Sequence, residues 1–112
     1  MTPVHRELAA GRWRELTFFE QMANIGSEVE RTIRWREKGR TEVGMRALER
    51  ALELLDMTVD DPKNRRRLRE LLRVREVLAD HFFFDNEYAS TDLSWQRYFH
   101  PFAWGARSAS GR

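Results

Sequence analysis

The sequence predicts an all-α fold, an antiparallel up-and-down four-helix bundle with a short extra N-terminal helix. Three observations carry that reading. Apolar residues recur every three or four positions over long stretches, the spacing of one helix face. Gly and Pro number only six and three in 112 residues, and Gly39 and Pro62 fall between the periodic stretches rather than inside them. The connections that remain are short, which favours antiparallel neighbours.

A leading turn over Val4 to Ala10 ends near Gly11, so residues 1–11 form an N-terminal segment of a single domain spanning 1–112. The first long helix is expected from Trp13 to Lys38. Leu16, Phe18, Phe19, Met22, Ala23, Ile25, Gly26, Val29 and Ile33 share one side, with Arg14, Gln21, Asn24, Glu28 and Arg31 opposite. Gly39 supplies the C-terminal stop. The small residues Ala23, Gly26 and Ser27 mark a point where another helix comes close, since a mid-helix Gly otherwise costs about 1 kcal/mol relative to Ala.

Thr41 is the expected N-cap of a second helix over Glu42 to Met57, whose Val43, Ala47, Leu48, Ala51, Leu52, Leu54 and Leu55 form a wide apolar arc. Asp60, Asp61 and Pro62 read as an acidic cap and first-turn proline, starting a third helix over Pro62 to Phe83. Ser90 or Thr91 caps a fourth, with Trp95, Tyr98, Phe99, Phe102, Ala103 and Ala106 along one side. Pro101 should kink that helix or end it early, and a frayed tail is expected over 108–112.

Composition narrows the chemistry. No apolar run approaches the roughly 20 residues of a membrane span, and the N-terminus lacks the apolar stretch of a signal peptide, so a soluble, cytoplasmic protein without membrane contact is expected. With no Cys, disulfides, thiolate metal sites, iron–sulfur clusters and cysteine nucleophiles are all excluded. Lys38 and Lys63 are the only lysines among 20 basic residues, against 18 acids, for a net charge of +2. That near balance lets most arginines pair on solvated helix faces.

The third helix carries the main conflict in the pattern. Leu68, Leu71, Leu72, Leu78, Ala79, Phe82 and Phe83 define its apolar arc, and Arg75 projects from the middle of it. A buried guanidinium needs acceptors. Glu30 and Glu37 fall on the apolar side of the first helix at about the same level, so a semi-buried ion pair of Arg75 with Glu37 or Glu30 is expected. Such a pair fixes helix register, snorkels to water, or marks a polar site in a cleft.

Charge order along this helix is also unusual. Lys63, Arg65, Arg66, Arg67, Arg69, Arg73 and Arg75 come first with only Glu70 among them, and Glu76, Asp80, Asp85, Glu87 and Asp92 follow with no lysine or arginine among them. The order opposes the helix macrodipole at both ends. Compensation by neighbours, a phosphate-binding face on Arg65, Arg66, Arg69 and Arg73, or pairing of basic with acidic ends between subunits would each account for it. Val74 and Val77 lie off the core arc of the third helix, as Leu93 and Trp104 do on the fourth, and together suggest an oligomer interface.

Catalytic patterns are few. His5, His81 and His100 are scattered, no Glu-x-x-His or His-Glu-x-x-His occurs, and no phosphate-binding glycine loop is present, so neither metal nor cofactor is expected. The stretch Arg75-Glu76-Val77-Leu78-Ala79-Asp80-His81 resembles the Arg-to-His motif of HEPN-type helical ribonucleases. That resemblance implies that Arg75 contacts phosphate and His81 acts as acid or base on RNA in a dimer cleft. On a continuous helix the two point about 120° apart, so the helix would have to end before His81 for them to converge.

The chain as a whole, over residues 13 to 107, resembles an uncharacterised family of small prokaryotic helical proteins. The resemblance is carried by EQMANIGSEVE at 20–30, ALERALELL at 47–55, ELLRVREVLAD at 70–80 and STDLSWQRYF at 90–99. It implies a compact four-helix domain and no particular chemistry. The expected function is a non-enzymatic bundle that forms a homodimer or other homo-oligomer and binds another protein, the alternative being a HEPN-like RNA-binding or RNA-cleaving domain.

Overall fold

The computed structural model describes residues 11–110, and the side chains of 11–107. The expected turn over Val4 to Ala10, and His5 with it, lie outside these residues. Helical backbone over 11–15 precedes four long helices, α1 (Phe18–Glu37), α2 (Thr41–Val59), α3 (Leu68–Phe83) and α4 (Asp92–Ser110), with a 3-10 helix over Pro62–Arg67 leading into α3. No strand occurs among the described residues. The protein is an all-α helical bundle.

Side-chain pairs between helices give the topology. Glu30 meets Gln96 and Arg36 meets Asp92, so α4 runs antiparallel to α1. Glu70 meets Tyr98 and His81 meets Asp92, so α3 runs antiparallel to α4. The tight Gly39 turn reverses α1 into α2. Direction therefore alternates along the chain, as the short connections predict. α1 lies close along both α2 and α4, and α2 lies against α3.

The core explains the helix faces. Met22, Ile25, Val29 and Ile33 of α1 meet Leu48, Ala51 and Leu55 of α2, Leu71, Val74 and Leu78 of α3, and Trp95 and Phe99 of α4, all buried. Gly26 has the predicted reason to be small: a Cβ there would sit 2.8 Å from Phe99 Cβ.

Several boundaries differ from expectation, each for a local reason. The first helix does not run unbroken from Trp13 to Lys38, because Thr17 caps a new start. Its hydroxyl accepts from the Glu20 amide at 3.1 Å, and the Glu20 carboxylate accepts from the Thr17 amide at 2.9 Å. This capping box satisfies two donors that a continuous helix would have engaged differently. α1 ends in a Schellman turn, with Gly39 at φ +75°, its amide on the Arg36 carbonyl and the Arg40 amide on the Trp35 carbonyl.

Thr41 opens α2 as its first residue rather than capping it, and no side chain caps that end. Asp61 does cap the next segment, accepting from the Lys63 amide, but the chain from Pro62 to Arg67 winds as a 3-10 helix before α3 begins. Thr91 caps α4 through the Ser94 amide at 3.0 Å. Pro101 does not end α4, which continues to Ser110, and residues 111–112 of the expected tail lie outside the described residues.

The largest correction concerns the rotation of α3. Its buried stripe is Leu71, Val74 and Leu78, with Val77 and Phe82 packed against it, while Leu68, Leu72 and Phe83 are exposed. The helix is turned about a quarter turn from the expected orientation. Val74 and Val77 thus belong to the interior, and the surface expected from Val74, Val77, Leu93 and Trp104 does not exist as a unit. Leu93 and Trp104 are exposed on α4.

Candidate interaction surface

The rotation of α3 sets the position of every candidate site residue. Viewed down the helix, Arg75 lies at the α2 edge of the buried stripe and His81 at the α4 edge. Arg75 Nε donates to Asp56 Oδ1 at 2.7 Å, and both side chains stay about half exposed. The expected pair with Glu30 or Glu37 does not form. Glu30 accepts from Arg34 and from the Gln96 amide, and Glu37 is exposed. An ion pair at the helix edge keeps both charges in contact with water and avoids the desolvation that a pair on the α1 seam would require.

His81 is largely buried, with Nε2 2.9 Å from Asp92 Oδ1 and its ring packed edge-on against Phe82. Its buried Nδ1 has no hydrogen-bond partner. Because α3 continues to Phe83, Arg75 and His81 stay on opposite edges of one helix and address different neighbours. Within one protomer they share no cleft.

The basic segment is solvent-facing. Arg65, Arg66, Arg69 and Arg73 are exposed, and among the described residues the first three have no acidic partner. Arg73 stacks over the Tyr88 ring at 4.5 Å. Arg67 covers Phe18 at 4.3 Å and approaches Glu70 at 3.4 Å.

The outer face of α3 is where apolar surface accumulates. Leu68, Leu72, Ala79 and Phe83 follow one another at helical spacing on the side away from the core, with Leu72 at 49% exposure. The α3–α4 loop extends this face, presenting Phe84 at 73% and Tyr88 at 41%. Between helix and loop lies a groove of about 570 Å³ that Leu72, Arg75, Glu76, Ala79, Phe84 and Tyr88 help to line.

Asp80 holds that loop in place. Its buried carboxylate accepts from the Glu87 amide at 2.9 Å and the Tyr88 amide at 3.1 Å, while its carbonyl accepts from the backbone amides of Phe84 and Asn86. Asn86 and Ala89 adopt left-handed backbone, and Asn86 is tied to Ser90 in both directions. Tyr88 Oη donates to Glu76 Oε1 at 2.6 Å, a bond that raises the phenol's pKa. The loop backbone that carries Phe84 and Tyr88, and the Tyr88 ring, are therefore held by hydrogen bonds.

Sequence periodicity places Leu68, Leu72, Ala79 and Phe83 in the core and misses the surface they make. The signal is present as excess. Apolar residues occupy 68, 71, 72, 74, 77, 78, 79, 82 and 83, more of the circumference than a bundle helix with one buried face needs. Arg75 then distinguishes the two stripes, since the one that contains it is the one that can face water.

Elsewhere, no group of three or more metal-ligating side chains occurs among the described residues, and no helix among them is long and apolar enough to cross a membrane. No family model matches the chain, and neither a curated protein nor a solved structure matches it.

Proposed function

We propose that this protein is a non-enzymatic protein-interaction module that self-associates through the outer face of α3. The observation that carries this reading is the outward apolar stripe of Leu68, Leu72, Ala79 and Phe83, crossed at mid-helix by Arg75 and Glu76, continued by Phe84 and Tyr88 and rimmed by charge. A monomer gains nothing from leaving such a stripe in water, and burying it releases roughly 25 cal/mol for each Å² removed. Aromatic and arginine side chains at its edges suit a protein interface. The separation of Arg75 from His81 within the protomer favours this reading over RNA cleavage by that pair.

Sedimentation equilibrium over a wide concentration range tests it. The native protein is expected to associate, and Leu72→Asp is expected to be monomeric with an unchanged circular dichroism spectrum, because Leu72 lies outside the core cluster. A native protein that stays monomeric at the highest concentrations, or a Leu72→Asp variant that associates equally well, would overturn the reading.

A further inference from the structure

The outer stripe of α3 is symmetric about its own midpoint. Between Arg75 and Glu76 the helix can be reversed end for end and the pattern returns. Leu72 and Ala79 are equidistant from that point, as are Leu68 and Phe83, and Arg66 in the preceding 3-10 helix lies as many positions before it in sequence as Asp85 in the following loop lies after it. Net charge changes sign across the same point, arginines with the single Glu70 before it and acids after it, and position by position Arg75 matches Glu76 and Arg66 matches Asp85.

We infer, resting on the reading above, that the partner is a second copy of this chain, with the two α3 helices antiparallel about a two-fold axis between Arg75 and Glu76. In that arrangement an isologous interface forms, each patch meeting its own reversed image. Leu68 and Leu72 of one copy lie against Phe83 and Ala79 of the other and enter the groove beside Phe84. The basic Arg66 end of each copy lies level with the Asp85 loop of the other. Arg75 stands opposite Glu76, and its Nε bond to Asp56 leaves the rest of the guanidinium available.

A charge order unfavourable to a single helix becomes favourable in the antiparallel pair. The macrodipole opposes arginines at the start of α3 and acids at its end. An antiparallel second copy brings each end beside its opposite charge, and that complementarity also excludes a parallel pairing, in which like ends would meet.

Charge reversal at two exposed positions that have no ion-pair partner among the described residues tests the alignment. Arg66→Glu alone and Asp85→Arg alone each place like charges together twice per dimer, and each is expected to weaken self-association by about tenfold or more. In a mixture of the two variants, the carboxylate introduced in one chain faces the guanidinium introduced in the other at one contact. The second contact keeps the native Asp85 and Arg66, so a heterodimer of native affinity is expected.

Weakening in both single variants without recovery in the mixture would overturn the alignment. So would native association in both single variants while Leu72→Asp is monomeric, which would leave the self-association reading standing. A native protein that is monomeric throughout, with Leu72→Asp indistinguishable from it, would remove both.

Discussion

The Asn64 side-chain amide donates to Gln21 Oε1 at 2.9 Å, joining the start of α1 to the 3-10 helix before α3 across 43 positions of sequence. The bond is the centre of a buried polar cluster. Gln21 Nε2 donates to the Trp13 carbonyl at 3.0 Å and to Asp61 Oδ2 at 2.9 Å, and Asn64 Nδ2 also reaches the Thr58 carbonyl at 3.0 Å. Trp13 Nε1 donates to Thr58 Oγ1 at 2.9 Å, and Lys63 Nζ bridges Asp61 and the Arg14 carbonyl. Together these side chains clasp the helical segment over 11–15, α1, α2 and the 3-10 helix at one end of the bundle.

Removing the centre of this clasp should be costly. Asn64→Ala leaves Gln21 Oε1 and the Thr58 carbonyl without that donor in a site closed to water, a loss of about 2–3 kcal/mol. Thermal unfolding should show a midpoint lowered by roughly 8 °C or more. A change within about 0.5 kcal/mol, the ordinary range of a surface substitution, would contradict the clasp.

The clasp is not legible in the sequence, whereas most of the core is. Apolar periodicity identifies Met22, Ile25, Val29, Ile33, Leu48, Leu55, Trp95 and Phe99 because burial of a hydrophobic side chain follows helix geometry alone. The same logic puts Gln21 on the solvent side, since a lone Gln has no periodic signature and its burial depends on partners forty residues away. The rotation of α3 escapes it for a related reason: two apolar stripes compete for one core, and the choice between them is made by packing against α2 and α4.

The break before α1 depends on the capping box. Thr17→Ala removes the acceptor for the Glu20 amide and should lower stability by about 1 kcal/mol. Thr17→Ser should recover most of it. Urea unfolding of the three proteins checks this, and equal midpoints would show that the break is set by Trp13 packing alone.

Close approach of α1 and α4 rests on Gly26. A methyl group there meets the Cβ of Phe99, which cannot move without its helix, so Gly26→Ala should lose about 1–2 kcal/mol despite the better helix propensity of Ala. Chemical denaturation measures the difference. A stabilised variant would mean the two helices separate freely.

Stability should fall at both ends of the pH scale for identified reasons. Burial tends to raise the Asp61 pKa, but hydrogen bonds from Lys63 and Gln21 outweigh it and hold the carboxyl below its usual range. A lowered folded-state pKa gives stability that is present above the ordinary carboxylate range and lost as pH falls through the folded value. Burial, followed by the 2.8 Å bond to Glu70, pushes the Tyr98 phenol up. Its contribution is complete below about pH 10 and is lost as pH rises toward the folded value. Denaturation midpoints against pH should show a shallower acid limb for Asp61→Asn and a shallower alkaline limb for Tyr98→Phe. Limbs parallel to those of the native protein would contradict these assignments.

The absence of native cysteine allows the most direct measurement of how two copies meet. A Leu72→Cys chain and an Ala79→Cys chain, mixed under mild oxidation, should form the 72–79 disulfide between copies in preference to 72–72, whose sulfurs would be about 10 Å further apart along the helix axis. Mass spectrometry dominated by the 72–79 product is the predicted result. Equal 72–72 and 72–79 products, or no product beyond that of the unfolded chains, would contradict the account.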